Sequence, residues 1–547
     1  MTPPTPPSSS AAAAPAAQSR PFAPLAHATF AVLWVATILG NVGSFMRDVA
    51  NAWLATDLSN SPTAVAAIQA ATTLPVFLLA IPAGVLSDIL DRRRFLIVIQ
   101  IALGLVSGTL MVLAWRGALT IEILIAMAFV GGIGAAMMGP TWQSIVPELV
   151  PRPELRSAVA LNGLGVNIAR AIGPATGGLL LAAFGAAATY AVDFVSYILV
   201  IGALLWWKRA PRTSDPLREH FFGALRAGLR YTRAHSKLHV VLLRATVYFI
   251  SGSAIWALLP LVARQVFAGG AGLYGLLLGM VGGGAIVGAL LLPRLQIWLN
   301  ADRLLLAAAA ATALSMGLLS LAPPLALALP LFLLLGVAWI AALTTLGGAA
   351  QAILPDWVRG RALAVYQMVF NGALAAGSLI WGAVAQNVGV PMGLLAAAVF
   401  LLVSSLLAHR VRLPQGEEDL APSQAWPDPR MAVPVEDDRG PVLIQIEYRV
   451  APADRQDFLR AVRRLSEERL RDGAFNWCVM DDPNDPQRLV EWFLVESWAE
   501  HMRQHRRVHN ADADLQRELL RFQIGDTPPQ VQHLLGVKLP PLAPAST

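Results

Sequence analysis

Three sets of residues in this sequence have types and spacings that can do chemistry. The first is ionisable and sits inside apolar runs: Arg47 and Asp48 in one run, Asp193 in another. A charge at such depth in a bilayer costs a few kcal/mol or more unless it is paired or wetted, so each is a functional candidate. A carboxylate there can load and release a proton. The alternative to a functional role is that Arg47 and Asp48 pair or snorkel near the outer surface. Adjacent residues project about 100° apart on a helix, so adjacency alone does not pair them. Asp193 has no sequence neighbour of opposite charge, which makes it the better proton carrier of the two carboxylates. The second set is His501, His505 and His509, whose i, i+4, i+8 spacing can chelate a metal. Arg503, Arg506 and Arg507 crowd the same helix and repel a cation, so a solvated basic face without metal is expected. The third set can line a cavity: Asn41, Asn162, Asn167, Arg170, Tyr248, Trp256, Gln367 and Asn371. Asn and Gln also bond neighbouring helices at modest gain. Aromatic rings among aliphatic runs favour an amphipathic organic ligand over a bare inorganic ion.

Other chemistries are poorly provided for. No glycine-rich loop ends in Gly–Lys–Ser/Thr, so ATP is not the expected energy source and an ion gradient is. The single cysteine, Cys478, excludes a disulfide framework and a Cys-rich metal site. No cofactor is implied. The net charge of +6 resides largely in short loops between apolar runs, which argues against a nucleic-acid partner.

The elements that must position these residues are membrane helices. Of 547 residues, 56% are hydrophobic and 14% charged, where a soluble chain carries about a quarter charged residues. Apolar stretches of about 20 residues recur from Phe30 to His409, long enough to cross a core of about 30 Å. In lipid they must be helices, because every backbone polar group has to be satisfied internally. Twelve spans are expected, at 28–54, 64–87, 95–115, 119–142, 157–182, 187–207, 240–264, 272–292, 303–322, 325–350, 362–386 and 390–409. Lys and Arg gather in alternate loops, such as Arg92–Arg94, Arg152, Arg156, Arg294, Arg359 and Arg361, whereas the other loops offer Arg116 and Arg264. That asymmetry places both termini in the cytoplasm. The first 26 residues read as a disordered cytoplasmic tail.

The chain divides into a six-helix half at 27–207, a middle loop at 208–239 and a second six-helix half at 240–412. A linker at 413–439, a soluble unit at 440–536 and a tail at 537–547 follow. In the middle loop, FFGALRAGLRYTRAH alternates apolar and basic positions at helical spacing. It suits a helix on the inner leaflet or a solvated linker helix. The halves repeat: QSIVPELV at Gln143 answers QAILPDWV at Gln351, and the register pairs Gly173 with Gly377 and Gly178 with Gly382. A parallel repeat of this kind places a substrate path between two bundles.

Two motifs then carry a resemblance. GVLSDILDRRR at 84–94 resembles the signature loop of the major facilitator superfamily, with Gly84, Asp88, Arg92 and Arg93 at the matching spacing and Ile89 where an Arg is usual. The resemblance implies a latch on the inner gate. Gly84 would let a neighbouring helix approach, and the arginines would meet headgroups or helix C-termini. RAIGPATGG at 170–178 resembles the motif of exporters and antiporters in that superfamily. Pro174 would kink its helix, while Gly173, Gly177 and Gly178 would permit close helix contact. NVGSFMRDVANAWL, SAIWALLPLVARQVFAGG and the C-terminal run GPVLIQIEYRV resemble the transmembrane secretion effector branch, to which enterobactin-type siderophore exporters are similar. The resemblance covers about 25–535. It implies a multi-pass inner-membrane protein that exports a small organic compound such as a siderophore, drug or secreted metabolite. The missing nucleotide loop and the carboxylates Asp48 and Asp193 make a proton the expected coupling partner.

After the linker, VLIQIEYRV alternates like a strand, 453–471 reads as an amphipathic helix, and FNWCVMD, RLVEWFLVESW and 499–520 supply strand, strand and helix. The whole is therefore expected to be an all-α membrane protein of twelve transmembrane helices with a C-terminal α+β ferredoxin-like domain. Domains of that shape pair through their sheets, so a homodimer through this unit is a further expectation. An enzyme or a ligand-sensing module within 440–536 is the alternative reading. It lacks a paired acid–base set, which disfavours catalysis.

Overall fold

The computed structural model describes residues 22–208, 221–414, 435–436, 439–507, 510–525 and 527–537. Within that range the side chains of some helix residues, Asp88 among them, lie outside the description, as does His509. So do the first 21 residues and most of the expected linker.

The first helices are α1 (Ala28–Leu58), α2 (Pro62–Ile89), α3 (Arg92–Trp115), α4 (Ile121–Leu149) and α5 (Leu155–Trp206). A shorter helix, α6 (Phe221–Ala234), leads into α7 (Ser236–Leu261), α8 (Ala271–Trp298), α9 (Ala301–Leu319), α10 (Leu325–Ala352), α11 (Asp356–Val388) and α12 (Val390–Ala408). Their starts follow local chemistry: Ser61, Asp91, Thr120 and Asn300 each accept the backbone N–H three residues on. Among the described residues, eleven helices are long and apolar enough to cross a membrane.

One of the eleven, α5, has 52 residues and turns at Gly185 (φ 79°, ψ −179°). Gly165 lies against Ile38, Gly173 against Phe45 and Gly177 against Met46, so the first arm runs along α1 in the same direction. Asp193 meets Arg47, Tyr197 meets Ser44 and Val200 meets Gly40, so the second arm runs back down it. Two expected spans are thus a hairpin, with glycine supplying the positive φ at its tip.

The repeat appears as equivalent packing. Gly173 rests on α1 where its partner Gly377 rests on α7, at Ile250 and Ser253. Gly178 meets α8 at Gly275 where Gly382 meets α2 at Ala66. At one end the halves are also tied by polar contacts. Arg264 pairs with Asp57 and donates to Thr56 at 3.1 Å, and Ser61 donates to Gln386 at 2.8 Å. α7 runs from α6 at the opposite end to Arg264 at this one.

The C-terminal region contains β1 (Val442–Arg449), α13 (Arg455–Arg471), β2 (Ala474–Asp482), β3 (Asp485–Val495), α14 (Trp498–Arg507), α15 (Asn510–Leu520) and β4 (Gln530–Leu535). The sheet is antiparallel with order β2-β3-β1-β4. Val442, Ile444, Ile446 and Tyr448 alternate inward against Phe458, Ala461, Val462 and Leu465. The expected element order is present, except that the second helix is two helices.

Two expectations change. Residues 23–26 of the expected tail form a turn of 3-10 helix, and His27 lies 3.1 Å from Glu154. Along its second half one face of α6 packs on protein: Gly228 abuts Arg361 of α11, and Tyr231 and Thr232 are buried while Arg233 is exposed. Its other neighbour is the C-terminal region, through Arg230 and Glu500 at 3.5 Å and Arg471 over the Tyr231 ring.

Candidate functional site

Arg47, Asp48 and Asp193 form one cluster. Arg47 Nη1 donates to Asp193 Oδ2 at 3.3 Å and to the Tyr197 hydroxyl at 2.7 Å, and Nη2 lies 3.5 Å from Asp48 Oδ1. Arg47 therefore bridges both carboxylates. It is buried, so surface snorkelling does not describe it, and Asp193 has an opposite charge beside it after all. Helix periodicity explains this. Ser44, Arg47 and Asn51 share one face of α1, while Tyr190, Asp193 and Tyr197 share one face of the returning arm of α5. Ser107 of α3 also donates to Asp193, whose Oδ1 has no hydrogen-bond partner among the described residues. Gly43 makes room: a Cβ there would stand 2.5 Å from Ser196 Oγ and 2.9 Å from Asp193 Oδ1. Ser44 and Tyr197 hydroxyls lie 3.0 Å apart, and Tyr190 donates to Asn51 at 2.8 Å.

This cluster walls a cavity of about 110 Å³ lined by Asn41, Ser44, Phe45, Arg47, Asp48, Asn51, Thr72, Leu103, Ala128, Gly131, Ala135, Met138 and Tyr197. Asp48 keeps 46% of its side chain accessible while Arg47 keeps 10%, so the carboxylate is what the cavity meets. Asp193 is fully covered behind Arg47.

The other cavity candidates scatter. Asn41 lines the cavity. Asn162 instead accepts from Trp142 at 2.9 Å, and Asn371 donates to the Gln367 carbonyl on its own helix. Asn167 and Gln367 are exposed and Arg170 is half-buried. Tyr248 is a core residue of the second half, bonded to Thr312 at 3.0 Å. Trp256 borders a void of about 10 Å³ with Trp339. The two rings lie 5.2 Å apart within an aromatic group that continues through Phe249 to Phe370.

Residues of the two motifs divide by role. Arg92 donates to Ser87 O at 3.2 Å and to Ser144 O and Glu148 Oε1 at 2.9 Å each, and Arg93 donates to Leu204 O and Leu205 O at 2.7 Å. Both arginines thus serve helix C-termini. Among the described residues, a Cβ on Gly84 would meet nothing within 4 Å. Gly173, Gly177 and Gly178 provide close approach: Cβ atoms there would lie 2.7 Å from Phe45 Cβ, 2.8 Å from Met46 Cα and 2.5 Å from Gly275 Cα. Pro174 lies within helical α5, and the break falls at Gly185 instead. A second buried pair, Arg244–Asp302 at 3.3 Å, holds the exit from α12 through Ala408 O, Val411 O and Leu413 N.

In the C-terminal region His501 is not on a solvated face. It is buried, with Nε2 3.3 Å from His505 Nε2 and its ring 4.7 Å from His533. Burial first, then the neighbouring His505 and His533, push its imidazole down to about 3. Burial lowers His533 too. Among the described residues no group of three metal-ligating side chains is placed to hold a metal. Nearby, buried Glu491 accepts from Trp477 at 2.9 Å and from the Tyr448 hydroxyl at 3.1 Å, and pairs with Arg469 at 3.3 Å. Burial and then the Glu491 charge raise the Tyr448 hydroxyl well above its ordinary value.

Among solved structures, the fold is similar to that of a bacterial homologue of the lysosomal transporter Spinster, with TM-score 0.55 and 16% identity over 70% of this chain and 97% of that one. It is also similar to the nucleoside transporter NupG, with TM-score 0.59 and 10% identity over 70% and 99%. The sequence is 25% identical to the staphyloferrin A transporter of Staphylococcus aureus over 256 residues, 46% of this chain and 64% of that protein. Against macrolide efflux protein A of Streptococcus pyogenes the match covers 60% of that protein, so both relatives are spanned over less than two thirds of their length. The multidrug efflux pump Tap of Mycobacterium tuberculosis is 26% identical over 413 residues, 72% of this chain and 95% of the pump. The transmembrane secretion effector family matches residues 19–540, nearly all of the sequence, and the chain belongs to that family within the major facilitator superfamily.

Proposed function

We propose that the protein is a secondary active exporter of a small organic compound, driven by protons that load the Asp48–Arg47–Asp193 cluster. The observation that carries this reading is the bridge itself: one buried guanidinium reaches two carboxylates beside a cavity. Asp193 supplies an oxygen without a donor, and Arg47 can shift its pairing between the carboxylates as one of them takes a proton. The chain crosses the inner membrane twelve times, with α5 crossing twice, and both termini are cytoplasmic. At about 1.5 Å per residue, the 52 residues of α5 supply about 78 Å, enough for two crossings. With that topology the end sealed by Arg264–Asp57 is the outer one. Siderophores and drugs, named for relatives, are the substrate classes to test first, and the aromatic group at Trp256 and Trp339 suits their apolar parts.

The experiment is uphill efflux from cells or transport into everted vesicles with and without a proton gradient. Loss on collapsing the gradient is expected. Indifference to it removes proton coupling.

The soluble region, whose strand order suits a ferredoxin-like unit, supports a second role as a module that senses ligand or acts on transport. Its favouring observation is the docking of Glu500 and Arg471 on α6, which itself packs on α11. Met480, Val531 and Leu534, each 51% exposed, support pairing of this region with a second copy.

A further inference from the structure

The cavity beside α1 carries an unbalanced charge. When ionised, Asp48 and Asp193 bring two negative charges and Arg47 brings one positive. Among the described residues, the formal charges acting on the two carboxylates are those of Arg47 and of the pair itself. The hydroxyls of Tyr197, Tyr190 and Tyr274 and of Ser44 and Ser107 complete the surroundings, and they are neutral. Accessibility sharpens the imbalance. The guanidinium is turned away into Asp193 and Tyr197, with 10% of its side chain accessible, whereas Asp48 offers 46%. Asn41, Asn51, Ser44 and Thr72 add neutral polar groups to the same wall, and Phe45 adds a ring face. One positive charge is what this arrangement lacks, and a proton or an organic cation can supply it.

We infer that the cavity binds the cationic head of the exported compound, an amine or quaternary ammonium group, at Asp48 in exchange for a proton. The inference rests on the export reading above and names its substrate class. The size agrees with a head group. A pocket for a whole drug-sized ligand has about 300–1,000 Å³, and the cavity has about 110 Å³. The apolar remainder of the compound then lies outside this cavity, between the two halves. A ring face at Phe45 and a carboxylate together suit a poorly hydrated cation.

The test uses the full chain in lipid nanodiscs, against empty nanodiscs, and three probes that share one apolar rod. These are trimethylammonium-diphenylhexatriene, neutral diphenylhexatriene and diphenylhexatriene propionate. The cationic probe is expected to bind at least about tenfold more tightly than the propionate, a difference of about 1.4 kcal/mol. Its affinity should fall as pH is lowered, and binding should release protons into weakly buffered medium. Asp48→Asn should abolish the preference, while Asp48→Glu, which keeps the charge and controls for folding, should retain it. Equal or tighter binding of the propionate overturns the inference, as does an Asp48→Asn protein that still prefers the cation. A proton gradient that drives efflux of another compound while the propionate binds best leaves export standing and removes the cation site. Cation binding unaffected by pH removes the exchange.

Discussion

Gly178 of α5 and Gly275 of α8 meet backbone to backbone: a Cβ on the first would stand 2.5 Å from the Cα of the second, and the reverse distance is 2.7 Å. Backbones this close leave no room for any side chain, so these glycines define how tightly the two halves can shut on this side. The contact also relates the 170–178 motif to the pseudo-symmetry, because Gly382 closes on Ala66 of α2 in the equivalent place.

Gly178→Leu should therefore hold the halves apart at the end sealed by Asp57 and Arg264. Overpacking of this kind costs about 1–3 kcal/mol, a roughly fivefold to hundredfold shift between open and shut. With Cys478 replaced by serine, Asp57→Cys/Arg264→Cys can be joined by a short thiol crosslinker. The yield should drop when Gly178→Leu is added, and transport should fall with it. An unchanged yield would show that α5 and α8 do not need to touch.

Removing one member of the buried cluster should separate stability from transport. Arg47→Leu strands Asp193 in a covered site, at a cost of about 3–5 kcal/mol. Arg47→Leu/Asp193→Leu removes both charges and should recover much of that loss in thermal denaturation, without restoring uphill efflux. Asp193→Asn should abolish gradient-driven efflux yet permit downhill exchange. Full uphill efflux by Asp193→Asn would move the proton to Asp48.

Much of this cluster was legible in one dimension, but its pairing was not. Depth inside apolar runs singles out Arg47, Asp48 and Asp193, because charges are rare there for energetic reasons. What brings Arg47 to Asp193 is the reversal at Gly185, and nothing in local periodicity gives the rotation of one arm against α1. The hydroxyl partners Ser44, Ser107 and Tyr197 are ordinary residues in apolar helices, visible only by reading i, i+3, i+4 faces together with the helix pairing. The glycines at 173 and 178 and their counterparts at 377 and 382 were more legible, since a repeat in register fixes equivalent neighbours. His501 shows the opposite case. Its basic neighbours suggested a solvated face, but the sheet covers that face of α14, as the approach of His533 from β4 shows.

His501 gives the soluble region a pH dependence with a definite sign. Its imidazole is held at about 3 in the fold, against about 6.5 when unfolded. Between those values the unfolded chain binds more protons, so stability is present at neutral pH and declines as pH falls below about 6.5. The slope from this residue is at most about 1.4 kcal/mol per pH unit. His501→Leu should flatten the dependence of the soluble region's calorimetric transition between pH 6.5 and 5, in units set by those two limits. A slope that survives the substitution would assign the effect to His533 or elsewhere.

The loop between α2 and α3 offers a comparison between neighbours. Arg92 is buried and fans to Ser87, Ser144 and Glu148, whereas Arg93 serves two terminal carbonyls of α5. Among the described residues, Arg92 also holds a carboxylate, that of Glu148. Arg92→Gln should thus remove the Arg92 cation from beside Glu148 and cost about 1–3 kcal/mol. Restoration of transport by Arg92→Gln/Glu148→Gln, beyond either single change, would establish the pair. Identical loss in all three would place the role of Arg92 in its carbonyl contacts.

The contact between the soluble region and α6 can be tested by exchanging charges. Arg230 and Glu500 are 3.5 Å apart with 22% and 9% of their side chains accessible, and Arg503 supports Glu500 at 2.8 Å. A partly covered pair of this kind contributes about 1 kcal/mol or less when a partner is merely removed. Reversal is harsher, because Arg230→Glu places two carboxylates together beside Gly473, whose Cβ position lies 2.8 Å from Glu500 Oε1. Arg230→Glu should release the soluble region from α6, which a crosslink between cysteines at Tyr231 and Arg471 would report as a lower yield. Arg230→Glu/Glu500→Arg should restore the crosslink. If transport rate follows the crosslink through all three proteins, the soluble region acts on the helices through α6. If the crosslink responds while transport stays constant, docking at this surface has no part in the transport cycle.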